Sequence, residues 1–307
     1  MRRTTNYAGN FFPYLVMAPA FFMGEVDYGG FVQASFAYGM VEGSLFFIVN
    51  QIEELAKFTA GISRLEGFQS KVEEVSTQPL DPSNQIIQSG GGIVIRHADL
   101  YTPKGELPVI RDLNLSVNDH ERMLVVGPSG CGKTSLMRMI SGLWSPRRGT
   151  VERPETGDLL FIPQKPYMLL GSLREQLCYP SDEERFSDAQ LRSVLEQVNL
   201  PQLVSRYPDL DIKQDWPRIL SLGEQQRLAF GRLLLNSPRY VVLDEATSAL
   251  DVKTEKLLYE LLVERDLAFI SVGHRPSLKS FHTNVLQLEG NGDWRLMPAV
   301  NYDPEAA

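Results

Sequence analysis

The chain has 307 residues and a formal net charge of −8, with 30 Lys and Arg against 38 Asp and Glu. That length holds one domain of ordinary size plus an appendage, and the acidic balance argues against nucleic acid as a partner, because a phosphate backbone attracts basic surfaces. The two cysteines, Cys131 and Cys178, have no metal-ligand spacing and read as reduced, cytosolic thiols.

Residues 8–23 are largely apolar (Phe11, Phe12, Leu15, Val16, Phe21, Phe22), and residues 31–52 form a second apolar run with one charge, Glu42. A bilayer span needs roughly 20 mostly apolar residues; the second run is long enough and the first is short. Arg2 and Arg3 ahead of an apolar core also fit a signal peptide. Against that, a second apolar run follows at once. The charges predict a transmembrane hairpin instead: Arg2 and Arg3 before it, Glu25 and Asp27 in the turn, Lys57 and Arg64 after it. Basic flanks face the cytoplasm, which puts both ends inside. Within the second run Glu42 should face a partner or a cavity rather than lipid.

Beyond this run, Ile52, Leu55, Phe58, Ile62, Leu65, Phe68, Val72 and Val75 recur three and four apart, which predicts a helix with one apolar stripe. Gly61 and Gly67 would weaken an isolated coil, so the stripe is read as packing against neighbouring helices. A stretch rich in Pro, Ser, Asn, Gln and Gly over 78–92 reads as a linker. The expected division is 1–75 for the helical membrane part, 76–92 for the linker and 93–307 for a soluble domain. In that domain, apolar runs over 123–126, 159–162, 241–243 and 269–272 predict buried strands. Helical patterns over 133–143, 188–198 and 224–235 alternate with them. The alternation implies an α/β fold, a largely parallel sheet with helices on both faces.

The first predicted strand runs into Gly127-Pro128-Ser129-Gly130-Cys131-Gly132-Lys133-Thr134, followed by Ser135 and a helix. This is a phosphate loop in the strand-to-helix context it requires. Its glycines let backbone N–H groups face phosphates, and the helix N-terminus adds a favourable dipole. Lys133 supplies a charge to the β/γ oxygens, and the Thr134 hydroxyl suits Mg2+. A second apolar run, Tyr240-Val241-Val242-Leu243, ends in Asp244-Glu245. Asp244 is placed to hold Mg2+. Glu245, expected to point the other way along an extended backbone, suits a base for the attacking water.

Between these two motifs lies Leu220-Ser221-Leu222-Gly223-Glu224-Gln225-Gln226-Arg227. It resembles the signature of the ABC superfamily, in which each ATP is held between two copies of the domain. That resemblance implies a P-loop NTPase of the ABC type behind an α-helical transmembrane hairpin. It implies that Ser221 and Gly223 contact the γ-phosphate of the partner's ATP and that Asp251 is the D-loop aspartate linking the two sites. Gln164, after Phe161-Ile162-Pro163, resembles the Q-loop glutamine that senses Mg2+. His274, in Ser271-Val272-Gly273-His274-Arg275, resembles the switch histidine. Tyr101 lies at about the distance ahead of the phosphate loop where many members stack an aromatic ring on adenine; Leu100-Tyr101-Thr102-Pro103 reads equally as a strand end with a surface tyrosine.

The form Leu-Ser-Leu-Gly-Glu-Gln-Gln-Arg, with Asp215-Trp216 ahead of it, narrows the resemblance further. It is similar to the subfamily of peroxisomal acyl-CoA half-transporters, lysosomal cobalamin transporters and bacterial vitamin B12, bleomycin and antimicrobial-peptide transporters. Ile270-Ser271-Val272-Gly273-His274-Arg275-Pro276 leans to the bacterial branch, and Gly231 stands where that pattern has alanine. The implied function is an ATP-hydrolysing subunit of a transporter. It would use ATP and Mg2+, pair with a second half-transporter as a homodimer, and sit multi-pass in a bacterial plasma membrane with its ATPase domain cytoplasmic. The family has six spans ahead of the ATPase, and only the last two are matched here. The others belong to a longer form of this chain or to a separate subunit. The alternative is a truncated or split-gene nucleotide-binding partner without transport activity of its own.

Overall fold

The computed structural model describes residues 2–77, 86–88, 90–102, 107–155 and 157–304. The chain divides into two compact units, Met1–Pro79 and Leu80–Ala307.

The first unit is a helical pair, α1 (Arg2–Phe22) and α2 (Tyr28–Thr77). Gly24, at φ +76°, makes the turn between them, and the Asp27 carboxylate accepts the backbone N–H of Gly30 at 2.9 Å where α2 begins. Phe12 stacks near Tyr38 and Phe21 near Phe31, with ring centroids 5.8 and 5.4 Å apart, so the helices run antiparallel. The second apolar run and the stripe after it are one unbroken helix. Among the described residues, α2 alone is long and apolar enough to cross a membrane; α1 holds a shorter apolar stretch, Phe11–Phe22. At 1.5 Å per residue a 50-residue helix is roughly 75 Å long. A hydrocarbon core is roughly 30 Å thick, so the polar half of α2 must project well clear of any bilayer its apolar half crosses.

Most of the stretch read as a linker lies outside the described residues. Within it, β1 (Ile86–Gln88) pairs parallel with a strand of the second unit. That unit continues with β2 (Ile93–Tyr101), β3 (Pro108–Val117), β4 (Arg122–Val126), α3 (Lys133–Ile140), β5 (Arg148–Arg153) and β6 (Leu159–Ile162). Next come β7 (Gly171–Ser172), α4 (Leu173–Cys178), α5 (Asp188–Gln197), α6 (Pro201–Arg206), β8 (Lys213–Gln214), α7 (Trp216–Ile219) and α8 (Leu222–Asn236). The chain closes with β9 (Tyr240–Asp244), α9 (Val252–Glu264), β10 (Ala268–Val272), β11 (Asn284–Gly290) and β12 (Asp293–Pro298).

The main sheet has the order β12-β11-β4-β10-β9-β6 and is parallel except at its β12 edge. A second sheet, β1-β5-β2-β3, is antiparallel through β5-β2-β3. The expected pair of helical layers is therefore corrected. Helices cover one face of the main sheet; the second sheet, with α3 between, covers the other. Strand alternation shows why both faces are buried. In β4, Leu124 and Val126 enter the helical core, while Met123 and Val125 enter the core between the sheets. The second sheet escapes a reading by periodicity because its strands carry mixed patterns broken by bulges, as between Ile95 and Ala98 of β2.

On the helical side α8 packs against α4 and α5. Its Gly231 allows this approach: a Cβ there would meet Leu177 Cδ2 at 3.1 Å and Val194 Cγ1 at 3.3 Å. Nearby, buried Trp216 donates from Nε1 to the Gly171 carbonyl at 2.8 Å and sets its ring edge-on to Tyr207. Both cysteines are buried free thiols, and burial pushes Cys178 up to about 11.

Candidate functional site

The parallel strands β4, β9 and β10 end side by side, and the loops leaving them carry the chemistry, as the crevice beyond carboxyl strand ends does in open α/β sheets. From β4 the chain turns into the phosphate loop. Gly127 (φ +144°) is fixed by its surroundings: a Cβ would lie 2.3 Å from the Leu288 carbonyl oxygen and 2.9 Å from Cys131 Sγ. Gly130 and Gly132 also have positive φ, and Gly132 precedes α3. The Lys133 ammonium curls back over the loop, donating to the carbonyls of Gly127 at 2.7 Å and Pro128 at 2.8 Å.

Thr134 at the start of α3 and Asp244 at the end of β9 meet, the hydroxyl donating to Asp244 Oδ1 at 3.3 Å. Asp244 is 6% exposed. Burial, with Glu245 beside it, pushes its carboxyl above the usual carboxylate range, and Thr134, Arg138 and Lys133 pull the other way. Glu245 corrects the expectation of an extended backbone. It has left the strand at φ +49°, a left-handed conformation that is uncommon outside glycine. This turn, rather than strand alternation, separates the two carboxylates.

Gln164, beyond β6, donates its side-chain amide to Glu245 Oε2 at 2.9 Å, and His274 Nε2, beyond β10, lies 3.1 Å from Oε1. Ser129, Gly130, Gly132, Lys133, Thr134, Ser135, Glu245 and His274 line one cavity of about 230 Å3. A second cavity, of about 620 Å3, shares Ser129 and Gly130 with it and extends past Cys131 to Thr102, Val109 and Arg111. Tyr101 lines neither; the Arg147 guanidinium covers its ring 4.7 Å from the centroid.

Ser221 and Gly223 are not brought into this cleft. Ser221 caps α8 in a capping box with Glu224, accepting the Glu224 N–H at 3.3 Å, and Gly223 packs against the carbonyl of Ala249. Asp251 caps α9, accepting from the Thr254 N–H at 2.9 Å and hydroxyl at 2.7 Å, and these bonds hold its carboxyl below the usual range.

Two buried residues that sequence reading passed over tie α8 to neighbouring segments. Gln226 is fully buried; its amide nitrogen donates to the Gln164 carbonyl at 2.8 Å and its oxygen accepts the Ala249 N–H at 3.1 Å. Arg232 donates to the carbonyls of Tyr167 and Gln176 with no carboxylate among these contacts, and burial pulls it down to about 10. Only the interruption of an apolar helical stripe by a glutamine and an arginine signalled either.

Residues 110–248 match the family model described as "ABC transporter". An uncharacterized ABC transporter ATP-binding protein of Synechocystis sp. is 43% identical over 96% of this chain and 46% of its own length. ABC transporter D family member 2, chloroplastic, of Arabidopsis thaliana is 33% identical over 90% of this chain and 49% of its own. The lysosomal cobalamin transporter ABCD4 of Homo sapiens is 34% identical over 96% of this chain and 54% of its own. The chain thus spans about half the length of the curated relatives it matches.

Proposed function

The chain belongs to the ABC transporter family, and on that premise we propose that it is the ATP-hydrolysing subunit of a membrane transporter, working as a pair. The observation that carries this reading is the convergence of Lys133, Thr134, Asp244, Gln164, His274 and Glu245 on one cleft. Lys133 donates to two backbone carbonyls and, at 4.0 Å, to Cys131 Sγ, neutral partners it can exchange for the β/γ oxygens of ATP.

The donor set also fits Mg2+: a hydroxyl (Thr134), a buried carboxylate (Asp244) and an amide (Gln164) are the hard ligands this cation takes. Bound there, Mg2+ would neutralise charge on the phosphates. Glu245 then polarises the attacking water, and His274 and Gln164 orient its carboxylate. Ser221 and Gly223, turned to their own helix, remain for the nucleotide of the opposite copy. A relative named as a lysosomal cobalamin transporter and the long apolar helix α2 support a membrane setting. We assign α2, with α1, to the end of a membrane domain whose remaining spans complete the path, in a bacterial plasma membrane with Leu80–Ala307 cytoplasmic. The cargo class is that of the subfamily: cobalamin, a peptide or an acyl-CoA-like molecule.

The test is nucleotide binding and hydrolysis by the full chain in detergent or vesicles. Mg-ATP should raise its thermal stability and be turned over. A chain that neither binds nor hydrolyses ATP overturns the reading.

A further inference from the structure

Two adjacent side chains of one loop reach different parts of the site. His274 faces the Glu245 carboxylate. Arg275 turns the other way, donating from Nη2 to the Leu250 carbonyl at 2.7 Å and from Nη1 to Glu255 Oε2 at 3.2 Å. Glu255 is buried, its side chain 4% exposed, and its other oxygen accepts the Thr247 hydroxyl at 2.6 Å. The guanidinium therefore joins the loop after β10 to both ends of the turn between Glu245 and α9. Leu250 immediately precedes Asp251, the cap of that helix.

Resting on the ATPase reading above, we infer that Arg275 is a positioning residue for hydrolysis: through the Leu250 carbonyl it makes the His274 loop and the 247–251 turn move as one piece. A carboxylate beside it explains only half of its contacts. A fixed fork of N–H groups can hold a carboxylate and a carbonyl at once, which a lysine cannot do with the same geometry. Displacing the turn moves the segment that follows Glu245 directly, without disturbing the residues that hold the phosphates.

The experiment separates positioning from charge neutralisation. In the full chain, Arg275→Met strands a buried carboxylate and should lower stability as well as turnover. Adding Glu255→Gln removes that stranded charge. The double variant should regain thermal stability and keep the parent KM for ATP, yet stay roughly 10²-fold low in kcat. Its amides over 249–251 should exchange with deuterium faster than the parent's, a readout that needs no hydrolysis. Recovery of kcat together with stability, or exchange identical to the parent's, overturns the inference and leaves Arg275 as a counter-ion for Glu255. A parent chain that binds ATP without hydrolysing it overturns the ATPase reading, and this inference with it.

Discussion

The Gln164 side-chain amide donates to Glu245 Oε2 at 2.9 Å, joining two residues 81 positions apart in the chain. With His274 on the other oxygen, both faces of the carboxylate are engaged, so its orientation is set before substrate arrives. Glu245→Gln should keep this scaffold and lose the base. ATP affinity, held by Lys133 and Thr134, should stay near the parent value, while turnover falls roughly 10²- to 10⁴-fold. Steady-state hydrolysis alongside equilibrium ATP binding checks it; hydrolysis near the parent rate would remove Glu245 from the catalytic role.

Ser221→Arg should abolish hydrolysis in a homodimer while leaving ATP binding to its own phosphate loop intact. Loss of the cap on α8 costs about 1 kcal/mol, so folding should survive. Lys133→Ala should be inactive for the opposite reason. Mixing the two variants rebuilds one composite site, with Lys133 from one copy and Ser221 from the other, and activity should exceed that of either alone. A fully active Ser221→Arg homodimer contradicts the shared site.

Gly127→Ala should cost both stability and nucleotide affinity. The left-handed φ of +144° and the Leu288 carbonyl 2.3 Å from the added Cβ leave no relaxed conformation. Backbone strain of this kind is worth about 1–3 kcal/mol. Thermal melts with and without ATP measure it, and an unchanged melt would show that the loop and β11 can separate freely.

His282 sets an acid limit on stability. Its Nδ1 lies 2.7 Å from the Leu278 carbonyl and its Nε2 2.6 Å from the Ser271 hydroxyl. Burial pulls it down to about 4. The unfolded chain takes up a proton near the ordinary value of about 6.5, and the folded chain does not. Stability is therefore full above about pH 6.5 and falls as the pH drops towards 4, by about 2 kcal/mol at pH 5. In denaturant titrations at pH 7 and pH 5, His282→Gln should lose this part of the pH dependence. An equal fall in parent and variant would assign it to other groups.

The sequence by itself determined the elements whose signal is local. The phosphate loop, the strand ending in Asp244 and the helical pattern over 224–235 were all legible, because a glycine pattern, an apolar run and a helical periodicity act within a few turns of chain. Gln164, His274 and Glu245 could be named as members of one site from motif resemblance, and the structure brings them within hydrogen-bond distance. What only the tertiary structure decided is long-range. The antiparallel sheet that replaces one helical layer depends on pairings between distant strands. The left-handed turn at Glu245 is held by contacts on both of its oxygens. Gln226, Arg232 and Arg275 act through backbone carbonyls and amides of other segments. Every residue offers a carbonyl, so no side-chain pattern marks which one a buried amide or guanidinium will find; the packing of α8 and α9 on the sheet makes that choice.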